Sequence, residues 1–337
     1  MIIRNDPGLR RHGHRLVFAG EAMVDVVMRV PSLPERGGDV LATSSEVAAG
    51  GGVNVMAAAA RHGLPVLYAG GHGTGPWGDV IRAALAAEGI RLLRPPEEDR
   101  DTGFDVAFVE PDAERTFVTH LGAETVRGQG SWAAVPAGPG DAVYVSGYGL
   151  AAPDSGPALA GWAASLPSGV LLFLDPGPLA AQIPAAVLDP VLARCDWVSC
   201  NHREAAALAV SSSAAVSSSS AAVSSAAPAS AGPAAAGRRL LARAGRAGIL
   251  VRDGAAGCYV GLRGSADPVH VPAPKVTAVD TTGAGDAHSG VFIAALAEGL
   301  RPVAAATRAN AAAAFAVTRP GPATAPTRAQ LDAWLSR

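Results

Sequence analysis

The chain of 337 residues is poor in cysteine, carries almost no net charge, and has no apolar run of membrane length outside one Ala/Ser tract. Its three cysteines, Cys195, Cys200 and Cys258, form an odd set without metal-ligand spacing. Such a set fits a reducing cytoplasm better than a secreted disulfide scaffold. A formal charge of −2 leaves no basic footprint for nucleic acid or for an anionic membrane surface. Residues 1–14 are polar and lack the apolar core of a signal peptide. The Ala/Ser tract at 211–237 is too rich in serine to read as a membrane span. A soluble, cytoplasmic protein is expected.

What is abundant is apolar material, 49% of residues against 17% charged, enough for a sizeable core in one large α/β domain. Residues 16–20 read as a buried first strand continuing through 22–27, with Asp25 as a lone carboxylate that is costly to bury without a partner. Strand-like runs at 141–148, 170–177, 197–201 and 250–254 alternate with helical sequence. The fold class that follows is α/β, a doubly wound, mostly parallel sheet with helices on both faces. Ligands sit at the carboxyl ends of such strands, where Asp25, Asn201 and Asp280 are expected. Two further segments, 28–48 and 102–121, alternate in short pieces with turn residues between, which is a hairpin signal. They predict a small separate β-sheet, leaving 1–27, 49–101 and 122–337 as the main domain. Lacking charge and large side chains, 211–237 is expected to be a surface insertion without stable structure.

The most informative stretch is Asp280-Thr281-Thr282-Gly283-Ala284-Gly285-Asp286, followed at once by an apolar run with helical spacing. It reads as a strand, a tight turn and a helix start. A helix start offers unpaired N–H groups and a positive dipole end to an anion, and glycines let backbone approach that anion closely. A carboxylate beside such a pocket suits proton abstraction next to a transferring group. The plain alternative is a Gly-rich turn with an N-cap carboxylate. Elsewhere Gly73-Thr74-Gly75-Pro76-Trp77-Gly78 spells a dinucleotide-type G-x-G-x-x-G, with Glu97 and Glu98 about twenty residues on. Pro76 between the glycines, and a preceding strand that is not the first, count against an NAD-dependent oxidoreductase.

Asp280 through Asp286 resembles the second signature, D-T-x-G-A-G-D, of the ribokinase-like (PfkB) carbohydrate kinase family. Gly50-Gly51-Gly52-Val53-Asn54-Val55-Met56 resembles its first signature, with Ala49 and Met56 as departures. The resemblance runs from about Val17 to Pro326. It implies ATP-dependent phosphorylation of a hydroxymethyl group on a sugar or sugar-like acceptor. Asp286 would be the base and the amides of Gly283, Ala284, Gly285 and Asp286 an anion hole. It implies that Asp25, Gly50, Gly51 and Asn54 hold the acceptor. Asn201 and Glu204, an N-x-x-E pair, would place Mg²⁺ and phosphate, Glu204 through metal-bound water; an N-cap interaction is the alternative for that pair. Gly254, Gly257, Thr282 and Asn310 would lie on the nucleotide side. A monovalent cation such as K⁺ would be held at Asp280, Thr282, Ala316, Arg319 and Gly321, although Ala325 stands where a serine often ligates. The small sheet would be a lid over the acceptor, with a homodimer formed through it. A nucleoside kinase of the same fold and a non-catalytic sugar-binding regulator are the alternatives.

Overall fold

The structure, a computed structural model, describes residues 15–112, 114–125, 132–210, 232–244 and 246–336. Strand β1 (Leu16–Ala19) leads into β2 (Ala22–Arg29), and β3 (Ser44–Gly51) runs directly into helix α1 (Gly52–Arg61). Then come β4 (Val66–Tyr68), α2 (Pro76–Ala87), β5 (Arg91–Leu92), β6 (Phe104–Val109) and β7 (Arg115–His120). The middle of the chain holds β8 (Ala142–Ser146), α3 (Gly147–Ala151), α4 (Gly156–Ser165), β9 (Leu171–Asp175), α5 (Ala185–Arg194) and β10 (Trp197–Asn201). Helices α6 (His202–Val210) and α7 (Pro233–Arg243) precede β11 (Gly248–Arg252), β12 (Cys258–Leu262) and β13 (Val269–Val271). The last helices are α8 (Ala284–Ala297), α9 (Pro302–Ala316) and α10 (Arg328–Leu335).

Among the described residues the large sheet has the order β13-β12-β11-β10-β9-β8-β1-β4-β5. It is parallel from β11 to β5, and β12 and β13 add an antiparallel edge. From β1 the chain winds first toward β4 and later toward β8, so the order reverses between β1 and β8, where doubly wound sheets open a ligand crevice. Side chains alternate across the sheet as a strand requires. Leu16 and Phe18 join a core with α1, α8 and α9, whereas Val17 and Ala19 join a second core with α4, α5, α6 and α7.

The small sheet, β3-β2-β6-β7, pairs β2 with β3 and β6 with β7 antiparallel, and β2 with β6 parallel. Its first strand begins at Ala22, so the expected single strand through Val27 is corrected: β1 stops at Ala19 and the chain changes sheets at Gly20 and Glu21. A β-carbon at Gly20 would lie 2.8 Å from the Phe18 ring and 3.1 Å from Ser146 Cβ, so the crossing needs glycine. The strand expected before the Gly-rich turn is also absent. Val279 and Asp280 donate their N–H groups to the Val317 carbonyl, at 2.7 and 3.1 Å, instead of to a ladder. Residues 233–237, read as part of a structureless insertion, form the first turns of α7; residues 211–231 lie outside the described residues. None of the helices among the described residues is long and apolar enough to cross a membrane.

Candidate functional site

Two helix starts converge at the crevice. Helix α1 begins after Gly51, at φ +54°, and α8 after Gly283, at φ +69°; neither has a side-chain cap. Helix α8 is apolar on nearly every side and buried from Ala287 to Ala295, as a helix packed between α1 and α9 must be. Its close contact with α1 depends on Gly290, where a β-carbon would collide with the Val55 carbonyl. A helix-interior glycine costs about 1 kcal/mol relative to alanine, less than such a collision. The contact carries Asn54, in the first turn of α1, to Asp286, in the first turn of α8: Asn54 Nδ2 donates to Asp286 Oδ2 at 3.0 Å.

Burial pushes the Asp286 carboxyl up to about 6; the Asn54 hydrogen bond opposes this, the Asp175 charge adds to it, and Arg252 opposes it. At the start of α8, Ala287 N–H donates to Gly283 O at 2.8 Å and Ala284 N–H to Thr281 O at 3.3 Å. The N–H groups of Gly285 and Asp286 have no intrahelical acceptor, as in any first turn. The amide of Ala284 is therefore engaged locally, and the cradle is narrower than the sequence suggested.

Arg252, at the carboxyl end of β11, lies beneath this turn, its Nε 3.4 Å from where a β-carbon on Gly285 would stand. Its Nη1 donates to Asp175 Oδ2 at 2.9 Å, Ser199 Oγ at 2.6 Å and Ser289 Oγ at 3.0 Å, and Nη2 lies 3.7 Å from Glu204 Oε2. Burial disfavours its charge, but Asp175 and Glu204 outweigh that and hold it firmly protonated.

Opposite stands the small sheet. Asp25 sits in the middle of β2, not at the end of a large-sheet strand, and its register partners are Ala48 and Asp105. Gly50 is required because a β-carbon there would collide with the Asp25 carboxylate. Burial raises the Asp25 carboxyl, and the charges of Asp105 and Asp286 raise it further; burial raises Asp105 as well. Arg115, on β7, pairs across the cleft mouth with Asp280. The cleft, about 310 Å³, brings together Asp25, Gly51, Asn54, Thr282, Gly283 and Asp286, with Glu204 at its far end.

Asn201 and Glu204 form the reciprocal cap that was the alternative reading. Asn201 N–H and Nδ2 donate to the Glu204 carboxylate at 2.7 and 2.8 Å, and Glu204 N–H returns to Asn201 Oδ1 at 2.9 Å. No group of three metal-ligating side chains is present among the described residues. Glu204 and Asp175 line the cleft with carboxylate oxygens, the kind of group that a Mg²⁺ ion keeping its own waters would meet. Gly254 and Gly257, at φ +54° and +105°, shape the turn between β11 and β12 and do not line the cleft. Asn310 is 3% exposed, donates to Val271 O at 2.8 Å and meets His288 Nε2 at 3.1 Å, so its side chain ties α9 to β13 and α8.

Asp280, Thr282, Ala316, Arg319 and Gly321 converge on one pair of loops, where the Asp280 carboxylate is already engaged. Asp280 Oδ1 accepts Thr282 N–H at 2.9 Å, Thr282 Oγ1 at 2.7 Å and Arg115, and Oδ2 accepts Gly321 N–H at 3.1 Å. Ala316 O accepts Arg319 N–H at 3.0 Å and Thr324 Oγ1 at 3.2 Å. A guanidinium already neutralises the loop, and Ala325 has no hydroxyl to offer. Burial opposes ionisation of Asp280, yet the Thr282 and Gly321 hydrogen bonds and Arg115 hold its carboxyl below the ordinary value.

The G-x-G-x-x-G loop is filled from within. Trp77 and Gly78 N–H groups donate to the Asp101 carboxylate at 3.0 and 2.9 Å, so the anion seat of α2 is taken. Sequence reading missed Asp105, Arg115, Asp175 and Arg252. For Asp175 and Arg252 the signal was available: each is a lone charge at the carboxyl end of an apolar parallel strand.

The family model described as pfkB family carbohydrate kinase matches residues 14–328. The sugar kinase YegV of Escherichia coli is 33% identical over 320 residues, covering 94% of this chain and 92% of that protein. The fold is shared with Arabidopsis thaliana ribokinase solved with ribose and ATP, at TM-score 0.72, 22% identity and coverage of 96% and 99% of the two chains. It is shared too with the Burkholderia thailandensis nucleoside kinase solved with inosine, at TM-score 0.71, 19% identity and coverage of 96% and 97%. Signature loops, cleft and relatives agree, and the chain belongs to the PfkB family of carbohydrate kinases.

Proposed function

We propose that the protein transfers the terminal phosphoryl group of ATP to a hydroxymethyl group of a sugar or nucleoside, with Asp286 as the general base. The observation that carries this reading is the Asn54–Asp286 contact at 3.0 Å, beside an uncapped helix start. The ribose, ATP and inosine bound by the two structural relatives support the pairing of nucleotide and polyol. Asp25 and Asn54 orient the acceptor so that its hydroxyl meets Asp286. The first-turn amides of α8 and the Arg252 charge beneath them face the migrating phosphoryl group, where preorganised dipoles stabilise developing charge. The nucleotide lies toward Asn201, Glu204 and the Gly254–Ala256 turn. Glu204 and Asp175 would hold a Mg²⁺ ion, which would supply neutralisation of phosphate charge.

The small sheet acts as a lid over the acceptor, and its outer face forms a homodimer contact. A row of valines supports this: Val47, Val26, Val106 and Val118 pair in register across the four strands, and Val47 and Val118 are 49% and 62% exposed. ADP release measured across pentoses, hexoses and nucleosides tests the reaction. Turnover of at least one acceptor is expected, and nucleotide hydrolysis without any acceptor dependence overturns the reading.

A further inference from the structure

Two buried oxygens lining the cleft have no hydrogen-bond partner: Oδ1 of Asn54 and Oδ1 of Asp105. Asn54 is 4% exposed and Asp105 is 9% exposed. An unpaired buried acceptor costs about 1–3 kcal/mol, so a cleft that keeps two of them is arranged for a ligand that brings donors. Both belong to one surface. Parallel pairing sets Asp25 directly beside Asp105, and the register continues to Ala48 on one side and Thr119 on the other, so all four side chains share the sheet face turned to the cleft.

Charge narrows what fits. The lining cations are Arg115 and Arg252, and both are committed, the first to Asp280 and the second to Asp175 and Glu204. The acceptor end otherwise presents Asp25, Asp105 and Glu21, whose carboxylate accepts the Ser146 hydroxyl. A carboxylate or phosphate on the substrate would meet like charge with no cation left to receive it.

Resting on the kinase reading of this cleft, we propose that Asp105 is a second acceptor-holding carboxylate, and that with Asp25 and Asn54 it selects polyols carrying adjacent hydroxyls and no negative charge. Two carboxylates side by side accept from neighbouring hydroxyls and leave the Asn54 oxygen for a third.

Calorimetric titration of the full chain without nucleotide is the test, using ribose, fructose and inosine against gluconate and fructose 6-phosphate. The wild type is expected to bind at least one of the neutral polyols and neither anion. Asp105→Leu should weaken that binding about tenfold or more, the loss of a hydrogen bond to a charged group. It should raise the acceptor KM in parallel while kcat and the KM for ATP change little. Asp105→Asn, which keeps an acceptor oxygen and the shape of the side chain, should recover part of the loss. An anion bound more tightly than every neutral polyol overturns the proposal, as does an absence of polyol binding or unchanged affinity in both variants. Polyol binding that depends on Asp105 without phosphoryl transfer would sink the kinase reading alone. ATP-dependent turnover of a neutral polyol, indifferent to Asp105, would sink this inference alone.

Discussion

At the scale of single residues, Asp286 carries opposing demands. Its carboxyl has an ordinary value of 3.8 and is pushed to about 6 by burial. As the proposed base it must be ionised, so kcat/KM should rise with unit slope through pH 6 and level off above; a profile flat from pH 5 to 8 would remove it from proton transfer. The stability linkage runs the other way. Between 3.8 and about 6 the folded chain holds a proton that the unfolded chain has released, so this group's contribution is present below 3.8 and lost as pH rises through 6. Asp286→Asn should therefore lower kcat by about a hundredfold to ten-thousandfold and raise Tm above wild type at pH 8, the Tm difference closing toward pH 4. A Tm below wild type at pH 8 would mean that Asp286 also supports the fold. Gly50 shows dependence of another kind: it exists to leave room for Asp25, so any side chain there displaces the carboxylate.

At the scale of elements, the packing of α1 on α8 through Gly290 aligns the site. Gly290→Val should cost about 1–3 kcal/mol by overpacking and lower kcat by parting Asn54 from Asp286, read by denaturant melts and turnover on the same sample. The Asp280 carboxylate ties its own loop to Gly321 and is also paired with Arg115. Exchanging K⁺ for tetramethylammonium in the assay should accordingly leave kcat unchanged, and a requirement for K⁺ would show that Arg115 leaves the loop during turnover. The elements also separate what was legible from what was not. The glycine loops, the parallel strands and the antiparallel hairpin 103–119 announced themselves because their signals are local: spacing, alternation, turn residues. Asp105 did not, because its meaning comes from pairing with Asp25 across a sheet; Arg252 offered only a lone charge at a strand end, and its partner Asp175 lies beyond the intervening β10. The strand assumed through Val27 failed because an apolar run does not reveal which of two sheets receives it.

At the scale of the whole molecule, the doubly wound sheet and the small sheet were readable from composition and order, and the signatures pointed to the cleft between them. The boundary was displaced, since β2 begins at Ala22 and β3 ends only where α1 starts. Assembly is testable at the same scale. Sedimentation velocity should give a dimer for the wild type and a monomer for Val118→Lys, because a lysine in the valine row cannot be buried against a second copy; a wild-type monomer at high concentration rules out that face.

The join at Gly51 and Gly52 has a mechanical consequence. Because β3 becomes α1 at Gly51 and Gly52 with no loop between them, a tilt of the small sheet would be passed to the turn that carries Asn54. In the proposed reaction, grip and chemistry would then be geared to each other, and an acceptor too short to touch the small sheet would leave the gear unengaged.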